Sequence, residues 1–536
     1  MKSECLPFTQ IPHTTPLFSD FLYRHSKVQS FYPRSAHITE WLRDEASRIQ
    51  YPPERREKIA AVLERQNQAW GASPETLQNI ARLRSGAVAL VTGQQVGLFG
   101  GPMFCLYKAL TAIKFAKVAT EDGVDCVPIF WLATEDHDLA EVNQVSIPGP
   151  DGTLQKLSLP IQAQLDAPVG TLTFGSEVQA LLEQLAVQLG ETEILTILRD
   201  TYRPGEDFGS AFARLFASLF AEWGVIVLDS RDPELHRIAE PVYRAAIQNN
   251  TEIVESLQAR GRELESAGYH QQVKVTPSST LLFAIQNGAR IPIHRRPNDG
   301  GFSIGDESIS FEDLSHRIES SPEHFSANVL LRPVIQDFLL PTLAYAGGSA
   351  EVAYFAQAAV VYEKLLGRVT PIIPRFSATV VEPKPRALLD RYGLALTDVF
   401  RGPEQLREEL ASRTLPQELQ SAFDRAEASI RKSMEDVRRS LERLDKTLVD
   451  SADNAASKID HQLESLRARA ARAELRQVEV LGRHASLLSN VLYPDNVLQE
   501  REYSGITFLA RYGKDLLQGL YSSVQPECLD HQIISM

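Results

Sequence analysis

"VTGQQVGLFGGPMF", Val91 to Phe104, holds four glycines, two glutamines and one proline in fourteen residues, and no charge. It continues a short β-rich run, "GAVALVTG", and leads into "MFCLYKALTAIKFAKVA", whose composition predicts a helix from Met103. Pro102 falls where a first-turn proline is welcome, because its missing N–H would have had no helical partner. After "EDGVD" the segment "VPIFWLA" reads as a second buried strand, with Pro128 tolerated only near its start. Strand, glycine loop, helix and strand within about fifty residues are the grammar of a right-handed βαβ unit in a parallel sheet. The fold class is therefore α/β.

A third strand is expected at "WGVIVLD", Trp223 to Asp229, preceded by the helical "FGSAFARLFASLFAEW". Between strands two and three, "VSIPGPDGTLQKLSLP" and its successors read as an insertion of small strands and turns, near residues 145–205. A second insertion, near 240–330, carries an Asn287-Gly288 turn between alternating runs, the signal of a hairpin. With these insertions the core spans residues 1–400. From Gly402 to Gly482 there is no glycine, and from Pro416 to Pro494 no proline. Apolar residues there step in fours and threes at Leu419, Phe423, Ala426, Ile430, Met434, Val437, Leu441, Leu444 and Leu448, then resume at Ile459, Leu463, Leu466 and Ala470. Residues 401–490 are thus an α-helical coiled coil, and 491–536 return to the core. Whether "DSADN", Asp450 to Asn454, is a turn between antiparallel helices or part of one rod is left open by the pattern.

A chain of 536 residues exceeds one compact core, and its 43% hydrophobic and 23% charged content is that of an ordinary soluble protein. A net charge of −14 argues against nucleic acid as a partner, since a phosphate backbone is held by excess Lys and Arg. A local basic pocket for a small anion stays open. Cys5, Cys105, Cys126 and Cys528 show no metal-ligand spacing. "MKSECLPFTQ" has no apolar signal region, and the uncharged run Ser85–Tyr107 is too rich in glycine and glutamine to span a membrane. A cytoplasmic protein is expected.

Glycines at a strand-to-helix turn let backbone N–H groups approach a ligand closely. Gly93, Gly97, Gly100 and Gly101 are candidates for such a cradle, with Gln94 and Gln95 as donors and acceptors. The spacing is neither GxxxxGK[ST] nor GxGxxG, and the plainer reading is a tight turn. In "TEDHD", Glu135, Asp136, His137 and Asp138 follow a strand directly, at the sheet edge where parallel folds bind ligands. His137 between carboxylates is a candidate base, and Asp136, His137 and Asp138 are alternative metal ligands; the plainer reading is a capped helix start. In "LRPVIQDFLLPTLAYAGGSAEVAYF", Arg332, Gln336 and Asp337 punctuate an apolar run. Gly347, Gly348 and Ser349 then open a helix, with Ser349 as N-cap. Arg332 and Arg375 would supply fixed positive charge to an anion there, against a plainer buried Arg–Asp pair.

"TGQQVGLFGGP" with Lys108 downstream, "WLATEDHDLAEVN", "LRPVIQDFLLPTLAYAGGSAEVAYFAQ", "PIIPRFS" and "YPDNVLQER" together resemble the bacillithiol biosynthesis cysteine-adding family, BshC, over nearly the whole chain. The resemblance implies a Rossmann-like, nucleotidyltransferase-like core with two connecting-peptide insertions and a coiled coil associated with dimerisation, hence a homodimer. It implies a ligase that joins the carboxyl group of L-cysteine to the amine of glucosaminyl malate, the last step of bacillithiol synthesis. Carried over motif by motif, it nominates Gly93, Gln94 and Gln95; Glu135, Asp136, His137, Asp138 and Asn143; Gly347, Gly348, Glu351 and Tyr354; and Arg375 and Ser377. The chain departs from the wider nucleotidyltransferase group in having neither an HxGH motif nor a KMSKS-type loop, which puts a simple adenylate mechanism in doubt.

Amide formation from a free carboxylate is uphill in water, so cysteine needs activation, with ATP the expected source and no resident metal. His137, supported by Asp136 or Asp138, is then the expected base, and Arg332 and Arg375 the cations for malate. The rival readings are a metal-dependent hydrolase or nucleotidyltransferase built on Glu135 to Asp138, and a non-enzymatic coiled-coil scaffold.

Overall fold

The core strands that position the site are β1 (Val88–Gln94), β2 (Cys126–Leu132), β3 (Ile226–Asp229), β4 (Ser279–Gln286), β5 (Ala289–Arg295), β6 (Phe302–Ile304), β7 (Glu307–Ile309), β8 (Phe325–Ala327), β9 (Thr342–Gly347) and β10 (Ile372–Pro374). The computed structural model describes residues 1–149, 151–161, 166–297, 300–413, 417–475 and 479–536. A parallel sheet runs in the order β10-β9-β1-β2-β3. Every residue of β2 is buried, as a parallel strand covered on both faces requires. The helix α1 (Phe104–Glu121) carries the chain from β1 to β2. From β1 the chain builds outward through β2 to β3, then returns to the other side of β1 with β9 and β10. The strand order therefore reverses between β1 and β9, and in such sheets the crevice beyond the carboxyl ends at that point receives the ligand.

β1 and β2 pair with Gly93 opposite Trp131 and Gln94 opposite Leu132. A Cβ on Gly93 would lie 2.7 Å from the Trp131 carbonyl oxygen, so only glycine permits the approach. The rest of the glycine loop turns inward. Phe99 adopts a left-handed φ of 51°, packs 4.9 Å from the Tyr202 ring and is fully buried. The Gly100 N–H donates to the Tyr202 hydroxyl at 3.2 Å. The helix itself begins at Phe104, so Pro102 stands before its first turn, in an isolated bridge with Ser504.

Between β2 and β3 lie two short strands, Gln144–Pro148 and Leu154–Ser158, but also helices at Glu177–Leu189 and Glu193–Thr201. The expectation of small strands and turns alone is corrected there. Val178, Leu181, Leu182 and Leu185, buried at helical spacing, explain the difference. The stretch between β3 and β9 begins with α2 (Pro233–Gln248) and ends with α3 (Arg332–Leu339). Between them an antiparallel sheet runs β7-β6-β5-β4-β8. Asn287 and Gly288, with φ of 52° and 80°, join β4 to β5 in the expected primed turn. The helix α4 (Ser349–Leu366) then links β9 to β10.

The chain divides into two compact units, the first of residues 1–147, 155–379 and 500–534, the second of 148–154, 380–499 and 535–536. In the second, α5 (Gln417–Leu444) and α6 (Val449–Leu475) form an antiparallel pair. Arg467 binds Asp424 at 2.8 Å and Arg438 binds Asp453 at 3.1 Å, so partners converge toward the turn from both helices. The turn is Asp445–Leu448, where the Asp445 carboxylate accepts the Thr447 N–H. "DSADN" lies inside α6. No helix among the described residues is long and apolar enough to cross a membrane.

Candidate functional site

A cavity of about 540 Å³ opens at the carboxyl ends of β1 and β9, where the strand order reverses. Gly93, Gln94 and Gln95 line one side, and Gly348, Ser349 and Ala350 at the start of α4 line another. Lys108, 2% exposed, reaches from α1 between them. Its ammonium donates to the Gly93 carbonyl at 2.7 Å and to Gln94 Oε1 at 2.8 Å, and pairs with Glu351 Oε2 at 2.7 Å. Glu351 also accepts the Gly348 N–H at 2.7 Å and the Tyr345 hydroxyl at 2.6 Å. Burial pushes the Glu351 carboxyl up, but Lys108, Tyr345 and the Gly348 N–H outweigh it and hold it below the usual carboxylate range. One buried ion pair thus braces both loops at the switch point. Gly348, not Ser349, is the cap residue of α4, and it is the Glu351 carboxylate that reaches back to the cap.

The acidic cluster separates into distinct roles. Glu135 is on the cavity wall, with Oε1 buried and without a hydrogen-bond partner among the described residues. His236 of α2 stands 3.4 Å from that oxygen, and its other ring nitrogen is 3.0 Å from the Tyr243 hydroxyl. Burial raises the Glu135 pKa, with His236 and Arg290 opposing. Asp136, also on the wall, accepts from Gln95 Nε2 at 2.6 Å and from the His137 N–H at 2.8 Å. His137 is not among the lining residues. Its Nδ1 lies 3.2 Å from a guanidinium nitrogen of Arg290, placed to accept from it. Asp138 caps the short helix Leu139–Val142 by accepting the Glu141 N–H, which is the plainer of the two sequence readings. Asn143 is tied to the Leu159 carbonyl, away from the cavity. Asp136, His137 and Asp138 do not converge as a ligand set; among the described residues only Cys5, Cys528 and Asp530 do.

The basic side chains differ in the same way. Arg332 lines the cavity, donating to Gln336 Oε1 at 3.1 Å and to the Tyr354 hydroxyl at 3.2 Å. It does not pair with Asp337, which is held by Gln336 and Tyr362, so the expected buried Arg–Asp pair is absent at this point. Arg290 is stacked 3.9 Å over the Phe283 ring and donates to Ser326 Oγ and the Ala327 carbonyl. Arg501 is the third arginine on this wall. Among the described residues none of the three forms an ion pair with a carboxylate, although Arg290 is near enough to Glu135 and Asp136 for the charges to act on one another. Arg375 also lines the cavity, but it is neutralised by Glu500 at 2.6 Å. Ser377 is buried behind it, bonded to Glu500 and to His531 Nδ1 at 2.7 Å, and is a brace rather than a wall. Gly347 is not a lining residue either; a Cβ there would meet Glu351 Cβ at 2.9 Å, so its smallness serves packing. Trp131 completes the wall, with an indole N–H that has no acceptor among the described residues.

Of the residues nominated from sequence, the structure gathers Gly93, Gln94, Gln95, Glu135, Asp136, Arg332, Gly348, Glu351, Tyr354 and Arg375 around one cavity. It sets His137, Asp138, Asn143, Gly347 and Ser377 behind or beside it. Arg290 and His236 are neighbours of the site that none of the motifs contains, and Arg501, the last residue of "YPDNVLQER", lines the cavity without having been nominated. For Arg290 the only signal is a lone charge in the apolar alternation of "ARIPIH".

Residues 1–376 match the family model described as "Bacillithiol biosynthesis BshC, N-terminal Rossmann-like domain", and residues 378–536 match "Bacillithiol biosynthesis BshC, C-terminal coiled-coil domain". The protein of Koribacter versatilis named "Putative cysteine ligase BshC" is 49% identical over 534 residues, covering 100% of both chains. The protein of the same name from Solibacter usitatus is 38% identical over 538 residues, again covering 100% of both. That of Geobacillus sp. (strain WCH70) is 30% identical over 520 residues, 95% of each chain.

Proposed function

The chain belongs to the bacillithiol biosynthesis BshC family, and from that premise we propose that it is the ligase joining the carboxyl group of L-cysteine to the amine of glucosaminyl malate. The observation that carries this reading is the polarity of the cavity. Arg290, Arg332 and Arg501, none of them in an ion pair with a carboxylate among the described residues, line the same cavity as Glu135 and Asp136. An acceptor with two malate carboxylates needs the former, and an amine that must lose a proton needs the latter. A volume of about 540 Å³ suits a small-molecule pair rather than a polymer.

ATP is the proposed activator of the cysteine carboxyl. The first turn of α4 lends the cavity backbone N–H groups at Ser349 and Ala350, which have no helical acceptor and suit phosphate oxygens. Gln94 and Gln95 are held by Lys108 and Asp136, so their amides enter the reaction already oriented. Glu135 is the proposed base, a different member of the cluster from His137. We also propose a homodimer through the coiled coil, because pairing within one chain leaves Val437 and Leu466 exposed. Sedimentation of a Val437→Glu/Leu466→Glu variant is expected to give monomer where the parent gives dimer.

Deleting the gene is expected to deplete bacillithiol and accumulate glucosaminyl malate, read by mass spectrometry of cellular thiols. An unchanged pool, in a bacillithiol-making strain without a second copy, refutes the reading. In the purified enzyme, Arg332→Gln is expected to raise the KM for the acceptor about 10- to 150-fold, the worth of one charged hydrogen bond, with a smaller effect on kcat.

A further inference from the structure

A separate group of polar side chains in the first unit lies outside the cavity. Cys5 is on the N-terminal strand Lys2–Leu6, and Cys528 stands just ahead of the neighbouring strand that begins at His531. Their sulfurs are 2.9 Å apart although 523 residues separate them in sequence. Cys5 is exposed and Cys528 partly so, whereas Cys105 and Cys126 are fully buried. Asp530 joins the pair to give three ligand-type atoms within 4.8 Å of one another.

Geometry decides between a metal and a covalent bond. Two thiolates on a tetrahedral zinc ion, each about 2.3 Å from it, stand roughly 3.8 Å apart. These sulfurs are well inside that separation. To reach a disulfide at about 2.05 Å each has to move only about half an ångström. We propose that Cys5 and Cys528 are a thiol–disulfide exchange site that reacts with low-molecular-weight disulfides and closes into an intramolecular disulfide.

The exchange runs in two displacements. One cysteine sulfur, as thiolate, attacks a sulfur of the small disulfide; that S–S bond breaks, a mixed disulfide forms, and the first small thiolate leaves and takes up a proton. The second cysteine then attacks the protein-side sulfur, forming the Cys5–Cys528 bond and releasing the second small thiolate, which takes up the other proton. Two protein thiols are oxidised and one small disulfide is reduced to two thiols. Hydrogen bonding to Cys528, then burial and the neighbouring Cys528 and Asp530, push the Cys5 thiol up to about 12.

The bond ties the N-terminal strand to a segment that supports the cavity. Three residues after Cys528, His531 is bonded to Ser377 and Thr379, and Ser377 shares Glu500 with Arg375. Closing so long a loop restricts the unfolded chain, so the oxidised protein is expected to melt about 2–6 °C higher than the reduced one.

The test uses the full-length reduced chain, exposed to L-cystine and digested without reductant before mass spectrometry. The expected product is a Cys5–Cys528 cross-linked peptide lacking two hydrogens, with no retained cysteinyl group and a raised Tm. Cys5→Ser, which melts with the reduced parent, is expected to stop at a cysteinyl group on Cys528 and to show no rise. Wild-type protein that retains a cysteinyl group on each thiol, or whose two thiols alkylate as fast after cystine as before, overturns the proposal. Stoichiometric zinc that survives dialysis of the parent but not of Cys5→Ser overturns it in favour of a metal site.

Discussion

Lys108→Met is expected to destabilise the core by about 3–5 kcal/mol, the largest stability effect of any single change at the cavity. The substitution keeps an unbranched side chain, one heavy atom shorter, and removes its charge. Glu351 is then left buried as a carboxylate with only the Tyr345 hydroxyl and the Gly348 N–H, while the Gly93 carbonyl and the Gln94 amide lose their shared donor. Removing both charges, as in Lys108→Met/Glu351→Gln, is expected to recover much of the loss, because the cost lies in the stranded charge. The pH dependence separates a charge effect from simple repacking. In the parent, the folded pKa of Glu351 is depressed, so its contribution is present above the unfolded value of about 4.3 and is lost as pH falls through the folded one. In Lys108→Met burial is opposed only by the Tyr345 hydroxyl and the Gly348 N–H and the folded pKa is expected to rise, so the penalty is fully present at neutral pH and shrinks as the group protonates. Urea unfolding from about pH 7 to about pH 4 is therefore expected to show the gap between parent and variant closing. A gap independent of pH would mean that the cost is packing and not charge.

Legibility in the sequence depends on how local each signal is. β1, α1 and β2 are read from continuous apolar runs and one glycine-rich loop, all within a single βαβ unit. The purpose of that loop was not legible. Only Gly93 of its four glycines reaches the cavity, since Phe99 packs on Tyr202 and turns the rest into the core. Arg375 and Ser377 read as ligand contacts until Glu500, 125 residues away from Arg375, appears as their buried partner. Arg290 reaches the cavity, and His236 reaches Glu135, from the long stretch between β3 and β9, where distant side chains meet only through tertiary packing. The turn at Asp445–Leu448 contains neither glycine nor proline, so nothing in composition distinguishes it from the helices it joins.

Glu135→Gln is expected to lower turnover by roughly 10²- to 10⁴-fold while leaving acceptor affinity and stability nearly unchanged. The amide matches the carboxyl in size, and a group whose charged form burial already disfavours loses little on neutralisation. A base must be ionised to act, so the rate of the parent is expected to rise with pH through a pKa above the ordinary carboxylate range, and Glu135→Gln to lose that acid limb. His137→Ala is the decisive companion. If His137 were the base, its loss would be the larger one and the acid limb would disappear with it. Its Nδ1 is already placed to accept from Arg290, however, and the ring is not on the cavity wall. The modest effect expected of His137→Ala is therefore a slackened Arg290, seen in KM, with the acid limb intact. A large loss in His137→Ala beside a small one in Glu135→Gln would move proton transfer back to the imidazole. The converse, with the acid limb gone only from Glu135→Gln, fixes it on the buried carboxylate that His236 and Tyr243 support from behind.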